Sequence, residues 1–111
     1  MKKLKIKEIT SKQEFEDFIK EGNSVVKFGA DWCHPCTVLH NNILDLDEER
    51  VGHINFGEVD CDSPDLDYII DELNIKNLPT MIFYKDGKEV QRTCGVRAGW
   101  ELYDLFKAFD V

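Results

Sequence analysis

Midway through its first half the chain changes hydrophobic period, and the change falls on a pair of cysteines. Residues 24–30, SVVKFGA, form an apolar run broken only by Lys27, the pattern of a buried β-strand. Leu39, Ile43 and Leu46 then recur at the spacing of one helix face. Between the two patterns stands Trp32-Cys33-His34-Pro35-Cys36. A strand that feeds a helix this directly commits the chain to alternating β and α elements, which pack as helices over a sheet.

The remaining segments fit that plan. Residues 3–9 alternate and read as a short strand. Ser11 and Glu14 form a capping box ahead of Phe15, Phe18 and Ile19, so a helix follows and ends near Gly22. Residues 53–61 read as a second buried strand. Ser63-Pro64 supplies an N-cap and a first-turn proline for a helix carrying Leu66, Ile69, Ile70 and Leu73. Residues 80–84 are a strand, Asp86-Gly87 a hairpin turn and residues 89–94 the returning strand. Residues 99–109 close as a helix with Leu102, Leu105, Phe106 and Phe109 inward. The expected fold is a three-layer α/β domain over residues 1–111. A mixed sheet of about five strands is flanked by four helices, with an antiparallel hairpin at one edge.

Composition excludes several function classes. The 111 residues suit one domain, and no window approaches the roughly 20 apolar residues of a membrane span. Twenty-two acids against 14 bases give a net charge of −8, which favours a soluble monomer and disfavours nucleic acid or anionic lipid as partner. The N-terminus lacks the apolar run of a signal peptide, so a cytoplasmic location is expected. In a reducing compartment cysteines are more often catalytic, metal-binding or buried than bridged.

Those three readings apply to Cys33 and Cys36. Zinc would need a second half-site, and no second CxxC exists, although His40 stands at helical spacing from Cys36. Redox chemistry fits the placement better. At a helix N-terminus, free N–H groups and the positive dipole end stabilise a thiolate at Cys33. Cys36, one turn on, can reach a sulfur attached to Cys33. Cys33 attacks a substrate disulfide, and Cys36 then attacks Cys33 and releases the reduced substrate. Pro35 is tolerated because the first turn has spare N–H groups.

Taken together, residues 31–36 (DWCHPC), residues 77–80 (NLPT), residues 85–90 (KDGKEV) and Gly95 resemble the thioredoxin family over about residues 5–109. The resemblance implies a cis peptide at Leu78-Pro79, lying against Cys33. It also implies a substrate-facing patch of Trp32, His34, Pro35, Leu78, Pro79, Gly95 and Val96, where the backbone before Pro79 pairs with a substrate strand. From the residues alone, Pro79 would simply start an edge strand, and Trp32 could be a packing residue. No bound cofactor or metal is implied. The partners are disulfide-containing proteins and a reductase or dithiol electron donor.

Three departures from the family pattern stand out. His34 occupies a position where glycine is common. Its imidazolium would favour the Cys33 thiolate and make the pair more oxidising; the alternative is a solvated side chain without effect. Lys27 stands where the family often has a buried Asp beneath the resolving cysteine, and Glu58 where some members carry a lysine. A swapped Lys27–Glu58 pair behind Cys36 is therefore expected. The ammonium would stabilise the Cys36 thiolate, or a neutral amine would take its proton; otherwise Lys27 reaches water and has no catalytic part. Thr37 and Asn41 replace a common lysine and a helix-kinking proline. Cys61 reads as a small buried hydrophobe, Cys94 as a thiol near the site's rim and His53 as solvated.

The resulting expectation is a thiol–disulfide oxidoreductase that reduces protein disulfides through a Cys33/Cys36 cycle. The alternatives are a more oxidising oxidase or isomerase, and a binding module whose thiols are incidental.

Overall fold

The computed structural model describes residues 4–109. Its elements run β1 (Ile6–Ile9), α1 (Lys12–Ile19), β2 (Asn23–Gly29), α2 (His34–Leu44), α3 (Glu48–Val51), β3 (Asn55–Asp60), α4 (Asp67–Glu72), β4 (Thr80–Lys85), β5 (Lys88–Cys94) and α5 (Gly99–Phe109). The strands form one sheet ordered β1-β3-β2-β4-β5. β1 and β2 flank β3 in parallel, while β4 runs antiparallel beside β2 and β5 antiparallel beside β4. The expected α/β architecture and edge hairpin are present. Lys3, the first residue of the expected first strand, lies outside the described residues.

Strand alternation divides the core between the two faces of the sheet. Val25, Met81 and Phe83 pack with Leu39, Ile43, Leu102 and Phe106 on the α2 and α5 side. Val26, Phe28 and Ile82 pack with Phe15, Leu66 and Ile69 on the α1 and α4 side. The central strand β2 is buried along nearly its whole length, which explains an apolar reading broken only by Lys27.

Local chemistry sets the turns. Asp86 and Gly87 both have positive φ, 49° and 87°, the backbone of a two-residue hairpin turn with Lys85 opposite Lys88. The Asp86 carboxylate also accepts from Gly22 N at 2.8 Å, tying the hairpin to the start of β2. At α1 only half of the capping box forms. Ser11 Oγ accepts from Glu14 N at 3.1 Å, but Glu14 Oε1 accepts from Thr10 N at 3.0 Å. The reciprocal bond has moved one residue upstream.

Two helix expectations are corrected. Among the described residues there are five α-helices, not four. The extra one, α3, is a single turn held by Asp47, whose side chain accepts from Glu49 N, and by burial of Val51. Four residues are too few to show a periodic stripe. The helix expected after Ser63 begins as a 3-10 turn, Pro64–Leu66, and Ser63 makes no side-chain cap bond. No described helix is long and apolar enough to cross a membrane.

Candidate active site

The cysteines sit where β2 hands over to α2. Cys33 N donates to Ala30 O at 3.1 Å, folding the chain back after the strand. Cys33 is the extended N-cap of α2, and its Sγ accepts from Cys36 N at 3.3 Å. Cys33 and Cys36 are joined as a disulfide with Cα atoms 5.3 Å apart. Both are buried, while His34 and Pro35 between them are exposed. The Cys33 sulfur therefore sits at the positive end of an 11-residue helix, where Cys36 N donates to it, a setting that stabilises a thiolate once the disulfide is reduced.

A second segment closes over the pair. The Leu78–Pro79 peptide is cis, and Leu78 packs against Ala30, Cys33 and Cys36. Gly95 N donates to Pro79 O at 2.8 Å, and Gly95 has φ +88°, a conformation glycine adopts without strain. Leu78, Pro79 and Gly95 are thus brought together beside the disulfide. Trp32 is 71% exposed, which rules out a core-packing role, and Val96 is also exposed. Sequence reasoning missed Asn42. Its amide donates to Arg97 O at 3.0 Å and straps the loop after Gly95 to α2.

A charged group lies behind Cys36. Alternation places Lys27 on the α2 side of β2, and the register sets Glu58 opposite it on β3 and Glu8 beyond on β1. Lys27 Nζ lies 3.3 Å from Glu58 Oε2, with the lysine side chain 8% exposed. An unpaired ammonium at this depth would carry a large desolvation cost. The same oxygen lies 3.0 Å from His40 Nδ1. His40 comes from α2, four residues after Cys36 and so on its face. The three side chains line a cavity of about 350 Å³ with Cys36. Gly29 keeps that space open: a Cβ there would sit 3.1 Å from Cys36 Sγ and 3.8 Å from Lys27 Nζ. The Cys36–His40 spacing, read from the sequence only as a conceivable metal-site geometry, is the signal that points to the histidine.

The other two cysteines are free. Burial pushes the Cys61 thiol up to about 11, with Asp60 and Asp62 adding to the effect. Cys94 is exposed, and its Sγ lies 3.6 Å from Thr80 Oγ1. Among the described residues no group of three or more His, Cys, Asp or Glu side chains is placed to hold a metal ion.

Comparison with known proteins agrees with this geometry. The Thioredoxin family model matches residues 6–108. Thioredoxin of Chlamydia trachomatis is 32% identical over 90 residues, covering 81% of this chain and 85% of the relative. Thioredoxin H-type 1 of Nicotiana tabacum is 33% identical, covering 77% and 69%. The solution structure of oxidised thioredoxin from Plasmodium falciparum superposes with a TM-score of 0.83 at 26% identity, covering 96% of this chain and all of that one (100%).

Proposed function

The chain belongs to the thioredoxin family and is a thiol–disulfide oxidoreductase, and from that premise we propose how its residues divide the work. Cys33 is the nucleophile toward protein disulfides, and Cys36 resolves the mixed disulfide. The observation that carries this reading is the Cys33 sulfur capping α2, 3.3 Å from Cys36 N, with Leu78 packed against it. Leu78, Pro79, Gly95, Val96, Trp32, His34 and Pro35 form the substrate face, with the backbone before Pro79 pairing to an extended substrate segment. Lys27, fixed by Glu58, faces Cys36 across the space left by Gly29 and stabilises its thiolate. Electrons come from a reductase or another dithiol. The free Cys61 and Cys94 support a reducing, cytoplasmic setting, and the net charge of −8 supports a monomer that does not bind nucleic acid.

A more oxidising role, as oxidase or isomerase, is favoured by two particular residues. Lys27 behind Cys36 places positive charge near its thiolate, and a protonated His34 at the exposed start of α2 would do the same for Cys33, which stabilises the reduced form. Equilibration in glutathione buffers decides between the two directions. A potential near about −270 mV supports the reductant, and a value of about −180 mV or higher supports the oxidant. In the second case His34→Gly lowers the potential. A pair that never exchanges with glutathione overturns both readings.

A further inference from the structure

We infer that His40 is the proton acceptor for Cys36 in the resolving step, oriented by Glu58 in a Cys–His–Glu arrangement behind the disulfide. The inference rests on the reading of Cys36 as resolver. Lys27, which lines the cavity with Cys36, is paired to Glu58, and an ammonium paired to a carboxylate has no lone pair to receive a proton. The acceptor must therefore come from another side chain of the cavity.

His40 is the candidate that the placement offers. It follows Cys36 by one helical turn, and both line the same cavity. The Glu58 carboxylate oxygen that faces Lys27 at 3.3 Å also faces His40 Nδ1 at 3.0 Å. A carboxylate held by a cation accepts, so Nδ1 carries the hydrogen and the lone pair is left on Nε2. That is the tautomer a base needs, fixed by a third group as in other nucleophile–base pairs. Lys27 is only 8% exposed, whereas Glu58 (28%) and His40 (31%) both reach solvent, so His40 can exchange protons with water. The charged groups facing this cavity are Lys27 from β2, Glu58 and Asp60 from β3, Glu8 from β1 and Asp31 from the turn before α2.

The step balances as follows. Water in the cavity carries the Cys36 proton to His40 Nε2. The Cys36 thiolate attacks Cys33 Sγ, the Cys33–Cys36 bond forms and the bond from Cys33 to the substrate sulfur breaks. The electron pair leaves on the substrate thiolate, which takes up a proton, while His40 returns its own to solvent. The substrate is reduced and the protein oxidised by two electrons.

Reduced protein mixed with one equivalent of 5,5′-dithiobis(2-nitrobenzoate) separates the steps by stopped flow. The first coloured thiolate reports attack by Cys33 and the second reports resolution by Cys36. Colour from Cys61 and Cys94 is subtracted with a Cys33→Ser/Cys36→Ser variant. The wild-type resolution rate rises with pH and levels off between pH 5 and 8, where histidine loses its charge. His40→Gln keeps a donor for Glu58 but has no base. It resolves about 10²-fold more slowly at pH 7, with a rate that climbs log-linearly past pH 8. Free imidazole restores part of the rate in His40→Ala. Glu58→Gln slows resolution less than His40→Gln. Lys27→Met slows it as well. Resolution by His40→Gln and His40→Ala at the wild-type rate and pH profile overturns the inference and leaves Cys36 as resolver. Absence of the first thiolate from wild type overturns the underlying reading as well.

Discussion

At the residue scale, burial sets the behaviour of the Cys61 thiol. Cys61 keeps its proton to about 11, against an ordinary value of 9.0, because the thiolate would be desolvated and lie beside Asp60 and Asp62. Below about pH 9 the thiol is protonated in both states and contributes no pH dependence. From there to about 11 the unfolded thiol releases its proton while the folded one holds it, so stability falls as pH rises. Tyr84 pushes the same way at still higher pH, since burial raises its phenol. Urea unfolding across this range therefore shows an alkaline decline, and Cys61→Ala makes it shallower. An equally steep decline in the variant would mean that Cys61 is not the group responsible. The site itself depends on single residues of this kind: Gly29 by lacking a side chain, and Glu58 by sharing one oxygen between two nitrogens.

At the element scale, close approach between layers decides which substitutions are tolerated. α1 crosses β3 so tightly that a Cβ on Gly57 would lie 2.9 Å from both Ile9 Cδ1 and Phe18 Cε2. Gly57→Ala is expected to cost about 1–3 kcal/mol in urea denaturation through overpacking. Gly99→Ala is the control, because no atom lies within 4 Å of its Cβ position. Equal stability of the two variants would show that α1 moves aside freely. The short α3 and the half-formed capping box at α1 escaped the sequence patterns for related reasons. A one-turn helix has no period, and which donor Glu14 serves depends on where Thr10 turns rather than on spacing.

At the scale of the whole molecule, the net charge of −8 acts on encounter rather than on chemistry. Disulfide peptides flanked by lysines are expected to be reduced more slowly as ionic strength rises from about 20 to 300 mM, because screening removes an attractive field. Glutamate-flanked peptides are expected to be reduced faster over the same range. Identical salt responses for the two peptides would place the control of encounter in the proposed substrate patch around Trp32 and Val96, both exposed, instead of in the net charge.

The sequence alone determined what short-range physics encodes. Continuous apolar runs marked the buried strands, 3.6-residue stripes marked the longer helices, and Asp86-Gly87 marked the hairpin. Cys33 at the strand-to-helix junction already implied an activated thiolate. Opposing Glu58 to Lys27, and turning Leu78-Pro79 toward the cysteines, could be read in advance only through family resemblance. Neither follows from local pattern, because strand register and loop approach are settled when residues about 30 to 45 positions apart pack together. Only the tertiary structure brought His40 onto the oxygen that Lys27 already faces, and Asn42 onto the loop after Gly95. Those contacts depend on how α2 lies across the sheet, and that is fixed by the filling of the shared core rather than by any one segment.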